Sequence, residues 1–513
     1  MDETRDTSRR EFLKAASLST IAAALGERAG LAASSSQAAI QSGSGAAASS
    51  ANQKFIAMQI SAQSFVDEGV DKCLDTLQQK AGVNVIMPVA YSYGWELDGR
   101  QVHGRPLPDH GAQVYNEIHG GSYTAVHPEF YKDSPIFTGL RAPELGNFDV
   151  FAEVIPKAKA RGIQTYALFA EDYNPAYIPN FEKIAEVDVY GKIGRNSCHN
   201  NPGLRSFLVS LVQDWFLSND LDGMMWESER QGPLNTALRA DFSSASARAI
   251  CCFCPYCLQK GHEQGINVQR AREGYMALDR WVNEVSSGSR TRDGSFVTLW
   301  RLFVEFPEIL AWQDFWFRSQ EEIYGFLYGT IKEIKPAARV GWHIMHLVTL
   351  SPLYRADQNY ARLAQAADFL KPCPYNNCGG PRFAQYIRNV QSTLFRDFTA
   401  QEVLAMHYKL LGYEGEEPSL DKLPKTGLSA KYVGRETTRA IADVEGAVPI
   451  YPGIDIDLPT EMRDKQTQPS DVKESVLAAF RAGAPGVVLS RKYSEMKLTN
   501  LAAVGEALHE LGA

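Results

Sequence analysis

The sequence predicts an α/β protein, a (β/α)₈ (TIM) barrel with long loops after strands 2, 4 and 6. Three observations lead to this fold: apolar strand-like runs recur eight times, helical patterns lie between them, and Gly or Pro residues stop most of those helices. Strands that alternate with helices pair in parallel. A doubly wound sheet is the competing fold, but no Gly-rich phosphate-binding turn follows the first predicted strand.

Each predicted strand is a short apolar run that ends in polar or aromatic residues. The eight runs cover residues 55–64, 84–93, 164–172, 223–229, 339–346, 368–375, 448–457 and 486–492. Helix stops precede several of them, among them Gly82, Gly162, Pro336 and Gly483. Because the chemistry of such barrels lies at the carboxyl ends of the strands, we expect the site residues there.

The N-terminal residues predict an export signal and a flexible tether, which are not part of the folded domain. Arg9 and Arg10 stand in a Ser-Arg-Arg-x-Phe-Leu-Lys pattern before a short apolar stretch, so residues 1–32 predict a twin-arginine signal peptide. An amphipathic first helix is the alternative. Residues 33–51 are rich in Ala and Ser and predict a flexible tether, and residues 52–513 form the predicted barrel domain. The expected location is the periplasm or the outside of the cell.

The overall composition narrows the class of partner. Hydrophobic residues make up 44% and charged residues 22%, which excludes a wholly disordered chain. The net charge of −8 provides no basic surface for nucleic acid, and no apolar run reaches the roughly 20 residues of a membrane span. Aromatic residues reach 11%, which suits stacking against sugars. We therefore expect no nucleic acid and no membrane span; a carbohydrate substrate or an aromatic ligand is compatible with the aromatic content, and the oligomeric state stays open, a homo-oligomer included.

A cluster of cysteines predicts a structural zinc site. Three thiols fall within six residues in a Cys-x-Cys-Pro-x-Cys pattern, and a fourth lies in the preceding loop. Four thiolates hold Zn²⁺ tetrahedrally and leave no position for water, so such a site is structural rather than catalytic. The predicted ligands are Cys198, Cys252, Cys254 and Cys257.

Other cysteines leave alternatives open. Cys251 stands beside Cys252 and is an alternative ligand, because the sequence does not decide which thiol points inward. Disulfides are the alternative to metal, although neighbouring thiols at this spacing are poorly placed to bridge each other. Cys73, Cys373 and Cys378 are expected to be small buried hydrophobes, or a disulfide pair in the case of the last two.

Two strands end in paired carboxylates. Strand 4 ends with Glu227 and Glu229, and strand 7 ends with Asp455 and Asp457; the period of two places each pair on one face. Opposed acids at the mouth of a barrel are what glycoside hydrolysis requires, since one protonates the leaving oxygen and the other attacks the anomeric carbon. The structural alternative for about half of these acids is an ion pair with a nearby arginine. The candidate arginines are Arg230, Arg382 and Arg491.

Further residues at the predicted strand ends are candidates for substrate binding. Carboxylates would bind sugar hydroxyl groups, aromatic rings would stack on sugar faces, and core packing is the alternative for each ring. The candidates are Glu171, Asp172, Tyr91, Trp95, Trp226, His343 and Arg491.

The order of these features resembles that of the zinc-containing β-galactosidase-like glycoside hydrolases of family 42. The resemblance covers residues 160–345: Cys198 follows strand 3, Glu229 ends strand 4, and the Cys-x-Cys-Pro-x-Cys cluster comes next. It implies a retaining glycoside hydrolase with structural zinc, with Glu229 on the acid/base position. We expect partial burial and the nearby negative charge of Asp455 to raise the pKa of Glu229. The family's nucleophile is a Glu on strand 7, where this chain offers Asp455, with Asp457 in reserve; Glu227 is the reserve acid.

Two other functions are compatible with the sequence. One is a carbohydrate-binding barrel that keeps the pocket without catalysis. The other is a metal-dependent sugar isomerase or hydrolase that uses histidines of the loop after strand 2. Those histidines are His103, His110, His119 and His127.

Overall fold

Eight parallel strands form a barrel in the computed structural model, which describes residues 54–94, 108–111, 119–136, 140–244 and 248–512. The strands are β1 (Phe55–Ile60), β2 (Val85–Ser92), β3 (Gln164–Ala170), β4 (Gly223–Glu227), β5 (Arg339–Ile344), β6 (Phe369–Pro372), β7 (Gly453–Asp455) and β8 (Gly486–Ser490). Neighbours follow the order 7-8-1-2-3-4-5-6. A bridge between Leu370 and Ile450 closes the ring between β6 and β7. The predicted (β/α)₈ barrel is confirmed.

The strands end earlier than the sequence predicted, for local reasons. After β1 the chain turns at Ser61, which precedes the helix Ala62–Glu68. β7 is short because Pro449 and Pro452 lack the N–H groups that a sheet ladder needs. The single bridge between β6 and β7, which we call the seam, follows from these prolines.

Helices surround the barrel and fill its long loops. The α-helices are Ala62–Glu68, Val70–Ala81, Val150–Ala160, Pro202–Ser218, Gly232–Ala237, Pro255–Glu263, Val268–Ser286, Ser295–Glu305, Glu308–Ile334, Leu347–Leu350, Pro352–Asp357, Tyr360–Ala364, Gly379–Ser392, Ala400–Leu411, Leu423–Thr426, Ala430–Asp443, Pro469–Arg481 and Leu498–Glu510. Outside the barrel, a two-residue strand, Gly121–Ser122, pairs with β2, and a hairpin joins Ala185–Val187 to Ile193–Ser197. The two-residue strand lies at the carboxyl end of β2, and the hairpin follows β3 along the chain.

The interior of the barrel changes from aromatic to polar along the strands. At the amino-terminal end Phe55 stacks on Tyr451 with ring centroids 4.0 Å apart, and Arg339 lies over both rings. At the carboxyl end the buried residues include Gln59 of β1 and Lys371 of β6. Buried polar side chains are costly unless they are paired, so their concentration at one end marks that end as the candidate site.

Several predictions concern residues outside this description. The signal peptide, the tether, Trp95 and His103 all lie there. In the ranges given above, no helix combines the length and the apolar character that crossing a bilayer demands.

Candidate active site

A pocket of about 440 Å³ opens at the carboxyl ends of the barrel strands. Its volume lies within the range of ordinary small-molecule sites. Charged groups dominate the wall. The lining residues are Glu171, Asp172, Asn196, Glu227, Glu229, Arg230, Tyr375, Arg382, Leu458 and Arg491.

Of the two acids at the end of β4, Glu227 and Glu229, the second is the more accessible. Glu229 pairs with a buried histidine. Its side chain is 41% exposed, and Oε1 lies 3.3 Å from Nε2 of His343. Burial alone would raise the pKa of Glu229, but the hydrogen bond and charge of His343, with the charges of Arg382 and Arg491, lower it to about 2. The predicted upward shift of the Glu229 pKa is therefore wrong, because the fold brings these three cations close enough to outweigh the effect of burial. Glu229 is ionised in the free protein.

Charged groups of both signs surround His343 and shift its pKa in opposite directions. Burial alone would lower its pKa, but the charges of Cys373 and Glu227 raise it to about 9 against the opposing effect of Lys371. Lys371 Nζ lies 3.1 Å from Nδ1, on the side of the ring away from Glu229. His343 therefore binds Glu229 from below the pocket, and it is absent from the pocket wall.

Glu227 is held by a polar network that spans the barrel. Gln59 Nε2 donates to Glu227 Oε2 at 2.6 Å. The amide oxygen of Gln59 accepts from Ser490 at 2.8 Å and from Lys371 at 3.3 Å, which fixes the orientation of the amide. Lys371 also donates to the hydroxyl of Tyr375 at 2.7 Å. The carboxylate of Glu227 thus has one position, with one side facing the pocket.

Arg230 also lines the pocket, and two buried ion pairs hold its guanidinium in place. Its guanidinium contacts Glu171 at 3.3 Å and also pairs with Glu186. It lies 2.6 Å from His199 Nε2 and over the ring of Trp316. Glu171, a substrate-binding candidate, is thereby held in an ion pair with Arg230. Neither β4 acid is paired with Arg230.

The structure places the two β7 acids outside the pocket. Asp455 is 1% exposed, and its carboxylate accepts the backbone N–H groups of Cys378 at 2.7 Å and Leu458 at 3.3 Å. Asp457 accepts from the side chain of Asn500 at 2.7 Å. Both carboxylates hold loops together, and neither lines the pocket. The expectation that Asp455 faces Glu229 across a shared cavity is corrected by this geometry.

Aromatic candidates belong to the core. Tyr91 is completely buried and packs against Tyr173 and Phe207, and Trp226 is completely buried beside Trp342. Core packing, the alternative stated for each ring, is what the structure has at both positions. Of the other substrate-binding candidates, Asp172 and Arg491 line the pocket.

The four predicted zinc ligands meet behind the Arg230 wall. One sulfur from each of them lies within 4.8 Å of the others, and all four are buried. Cys198 Sγ is 3.4 Å from the sulfurs of both Cys254 and Cys257. Cys252 rather than Cys251 completes the group, which we call the thiol cluster. All eight cysteines are buried free thiols, so Cys373 and Cys378 form no disulfide.

A second group could offer ligands to a metal, but its neighbours disfavour one. Glu227, Glu229 and His343 each present an atom within 4.8 Å of the others. Lys371 and His343 are close together there, and a metal cation would add to their positive charge. The described histidines of the loop after β2 do not gather: His110 pairs with Glu68, and His127 pairs with Asp214. The arrangement gives little support to the metal-dependent alternative.

Sequence reasoning missed part of the site. Gln59 and Lys371 lie within otherwise apolar strand segments, and that isolation is a signal that could have found them. The sequence indicates Arg382 only as a possible ion-pair partner of an acid, whereas in the structure it lines the pocket. Tyr375 and Asn196 carry no sequence signal that separates them from ordinary loop residues, since only the fold brings them to the pocket.

Comparison with known proteins gives a likeness of fold. Neither a family model nor a curated protein matches the chain. A β-galactosidase from the Antarctic haloarchaeon Halorubrum lacusprofundi is similar in structure, with a TM-score of 0.51 and 13% identity over 89% of this chain. A β-galactosidase from Marinomonas ef1 gives a TM-score of 0.49 with 8% identity over 89% of this chain. The catalytic domain of β-amylase from Paenibacillus polymyxa gives 0.48 with 11% identity over 90% of this chain.

The share of each neighbour's own length that this chain spans varies more widely. The present chain spans 58% of the haloarchaeal β-galactosidase, 59% of the Marinomonas enzyme and 99% of the β-amylase catalytic domain. At such low identity the likeness to the haloarchaeal β-galactosidase shows a shared fold. Function has to be argued from the pocket, because this fold carries many chemistries.

Proposed function

We propose that this protein is a glycoside hydrolase whose two working carboxylates are Glu227 and Glu229. The observation that carries the proposal is the convergence of these acids on one pocket at the carboxyl ends of the strands. One oxygen of each lies within 4.8 Å of the other. This upper limit between two oxygens is compatible with the roughly 5–5.5 Å between carboxyl groups of retaining glycosidases and fits less well the roughly 6.5–9.5 Å that inverting enzymes need for water. We therefore favour retention.

The environment of each acid suggests its role. Glu229 is ionised, accessible and held by His343, so we assign it the attack on the anomeric carbon. Glu227 then donates its proton to the glycosidic oxygen as the bond to the anomeric carbon breaks. In the second half, water attacks that carbon, Glu227 takes the proton from the water, and Glu229 leaves as carboxylate. This assignment reverses the roles that the resemblance to family 42 implied, and it leaves Asp455 out.

Variants of the two acids test this proposal. A panel of 4-nitrophenyl glycosides, α and β, should include a substrate that the protein cleaves with retention, as followed by NMR of the first-formed anomer. Glu229→Gln and Glu227→Gln should each reduce kcat by at least 10³-fold with unchanged thermal melting. Glu153→Gln, on the outer surface of the helix Val150–Ala160, is the matched control and should be fully active.

The result also separates hydrolysis from binding alone. If the protein binds sugars but hydrolyses none of the panel, the carbohydrate-binding alternative replaces the proposal. The position of Asp455 outside the pocket is the observation that favours that alternative. If either glutamine variant keeps full activity, the assignment of the carboxylates is wrong.

We also propose that the thiol cluster holds one structural Zn²⁺. Tetrahedral Zn²⁺ with bonds of about 2.3 Å separates its sulfurs by roughly 3.8 Å. The sulfur contacts of 3.4 Å and the 4.8 Å limit within the cluster are compatible with this geometry. Four thiolates would supply cross-linking and no open position for chemistry. Zinc at one equivalent per chain in elemental analysis would support the site.

Export by the twin-arginine route is the remaining part of the proposal. Its support is the Arg9-Arg10 pattern in the sequence. Replacing both residues by Lys should leave the precursor in the cytoplasm, while the wild-type chain is recovered from the periplasm or the medium. Recovery of the double variant outside the cytoplasm would contradict this assignment.

A further inference from the structure

Arg382 presents a positive charge to the pocket; its charge lowers the pKa of Glu229, but no described carboxylate lies within ion-pair distance of its guanidinium. It lies in the first turn of the helix Gly379–Ser392 and is half-buried. Its guanidinium lies 3.3 Å from Nδ1 of His346 and 4.8 Å above the ring of Phe242. Within the described parts of the chain, no Asp or Glu forms an ion pair with it, although such pairing is the rule for arginines withdrawn from water.

The two side chains that contact Arg382 are uncharged, so they do not neutralise its guanidinium. His346 is completely buried, and burial together with the charge of Arg382 keeps the pKa of His346 far below its usual value. A neutral imidazole accepts a hydrogen bond from the guanidinium without neutralising it. The ring of Phe242 lies next to the guanidinium in a cation–π contact. Arg382 is thus oriented by uncharged partners.

Arg491 lines the same pocket and adds a second guanidinium. Glu495 orients it from behind, with contacts of 2.8 Å and 3.2 Å. Glu495 itself does not line the pocket. The two guanidinium groups repel each other, and the ionised Glu229 in the same wall offsets part of their combined charge.

We propose that Arg382, assisted by Arg491, binds an anionic substituent on the sugar, so that the substrate is an acidic glycoside. The proposal rests on the glycoside hydrolase function argued above and specifies its substrate. A planar carboxylate accepts two parallel hydrogen bonds from a guanidinium, which makes a uronic acid the best match. A sulfate ester has the same recognition chemistry and is the second source of the anion.

Paired substrates that differ in one group test the proposal. 4-Nitrophenyl glucuronides and galacturonides are compared with the matching glucosides and galactosides, in both anomers, and with their 6-sulfated forms. The wild-type protein should have the higher kcat/KM for an acidic member of a pair. Arg382→Met should lower that value about 10- to 100-fold, the range for loss of hydrogen bonds to a charged group. Its kcat/KM for neutral glycosides should fall by a smaller factor, because Arg382 also stabilises the ionised form of Glu229, so the ratio of acidic to neutral kcat/KM is the quantity compared.

A matched control and a second measurement keep the test independent of folding. Arg388→Met removes an exposed arginine from the same helix and should leave both kinds of substrate unaffected. For the wild-type protein, added salt should lower kcat/KM for the acidic glycoside more than for the neutral one. Arg382→Lys keeps the charge without the fork and should fall between wild type and Arg382→Met.

The outcomes separate this proposal from the proposed function. Cleavage of neutral glycosides with no preference for acidic ones overturns the anion site and leaves the hydrolase intact. If no glycoside is cleaved, calorimetry with glucuronate, galacturonate, 6-sulfated glucose and the neutral sugars decides the anion site. Binding of an acidic sugar that Arg382→Met abolishes and Arg388→Met preserves supports it, and the sugar bound identifies carboxylate or sulfate. Absence of such binding refutes it.

Discussion

Replacing Asp455 with asparagine tests what the carboxylate at the end of β7 does. Its two backbone donors come from Cys378 after β6 and Leu458 after β7, so it ties the two sides of the seam. A hydrogen bond to a charged group contributes about 1.5–3 kcal/mol. Asparagine keeps one acceptor oxygen and turns an NH₂ group towards the other backbone N–H. We therefore expect a loss of about 2–4 kcal/mol in the free energy of unfolding.

Urea unfolding followed by circular dichroism measures this loss, and turnover of the best aryl glycoside measures function. The midpoint should fall with an unchanged m-value, and kcat at a temperature where the variant is folded should stay within a few fold of wild type. Asp133→Asn, at an exposed position, is the control and should match wild type in both. An unchanged midpoint with a 10³-fold loss of kcat would refute the reasoning and identify Asp455 as a catalytic group.

Three further predictions follow from buried groups at the pocket and in the thiol cluster. Cys254→Ser should remove the bound metal and lower the unfolding midpoint, whereas Cys251→Ser should keep one metal per chain by elemental analysis. Arg230→Met leaves the buried Glu186 without its partner and should cost about 3–5 kcal/mol in urea unfolding. His343, whose pKa is raised to about 9, contributes stability that is fully present below about pH 6.5 and is lost as the pH rises through 9. His343→Gln should therefore flatten the dependence of the unfolding midpoint on pH between 6 and 10, and an unaltered slope would contradict this account.

The barrel and the thiol cluster could be predicted because both depend on local spacing. Apolar runs alternating with helices define eight strands, and three cysteines within six residues define most of a ligand set. The roles of the β7 acids could not be predicted in this way. Period-two alternation holds only while the chain is extended, and Asp457 has φ of 53°, so the chain has already turned. Asp455 also needs the Cys378 N–H, which a different strand brings to it.

The cations that surround Glu229 could not be predicted from the sequence, for a related reason. His343 lies on β5 and Arg382 on the helix after β6, more than a hundred residues away along the chain. Only closure of the barrel brings these cations to one acid. The sequence could supply the carboxylate but not its charge state, since that state depends on which cations the fold gathers.

The thiol cluster also has a consequence for the order in which the barrel comes apart. Cys198 is separated from Cys254 and Cys257 by 56 and 59 residues, and β4 with both of its acids lies inside that loop. A metal bound to all four thiols would act as a clip, and closing a loop of this length removes roughly 4 kcal/mol of entropy from the unfolded chain. The segment that bears Glu227 and Glu229 would then be among the last to open in hydrogen exchange, after the seam has already frayed.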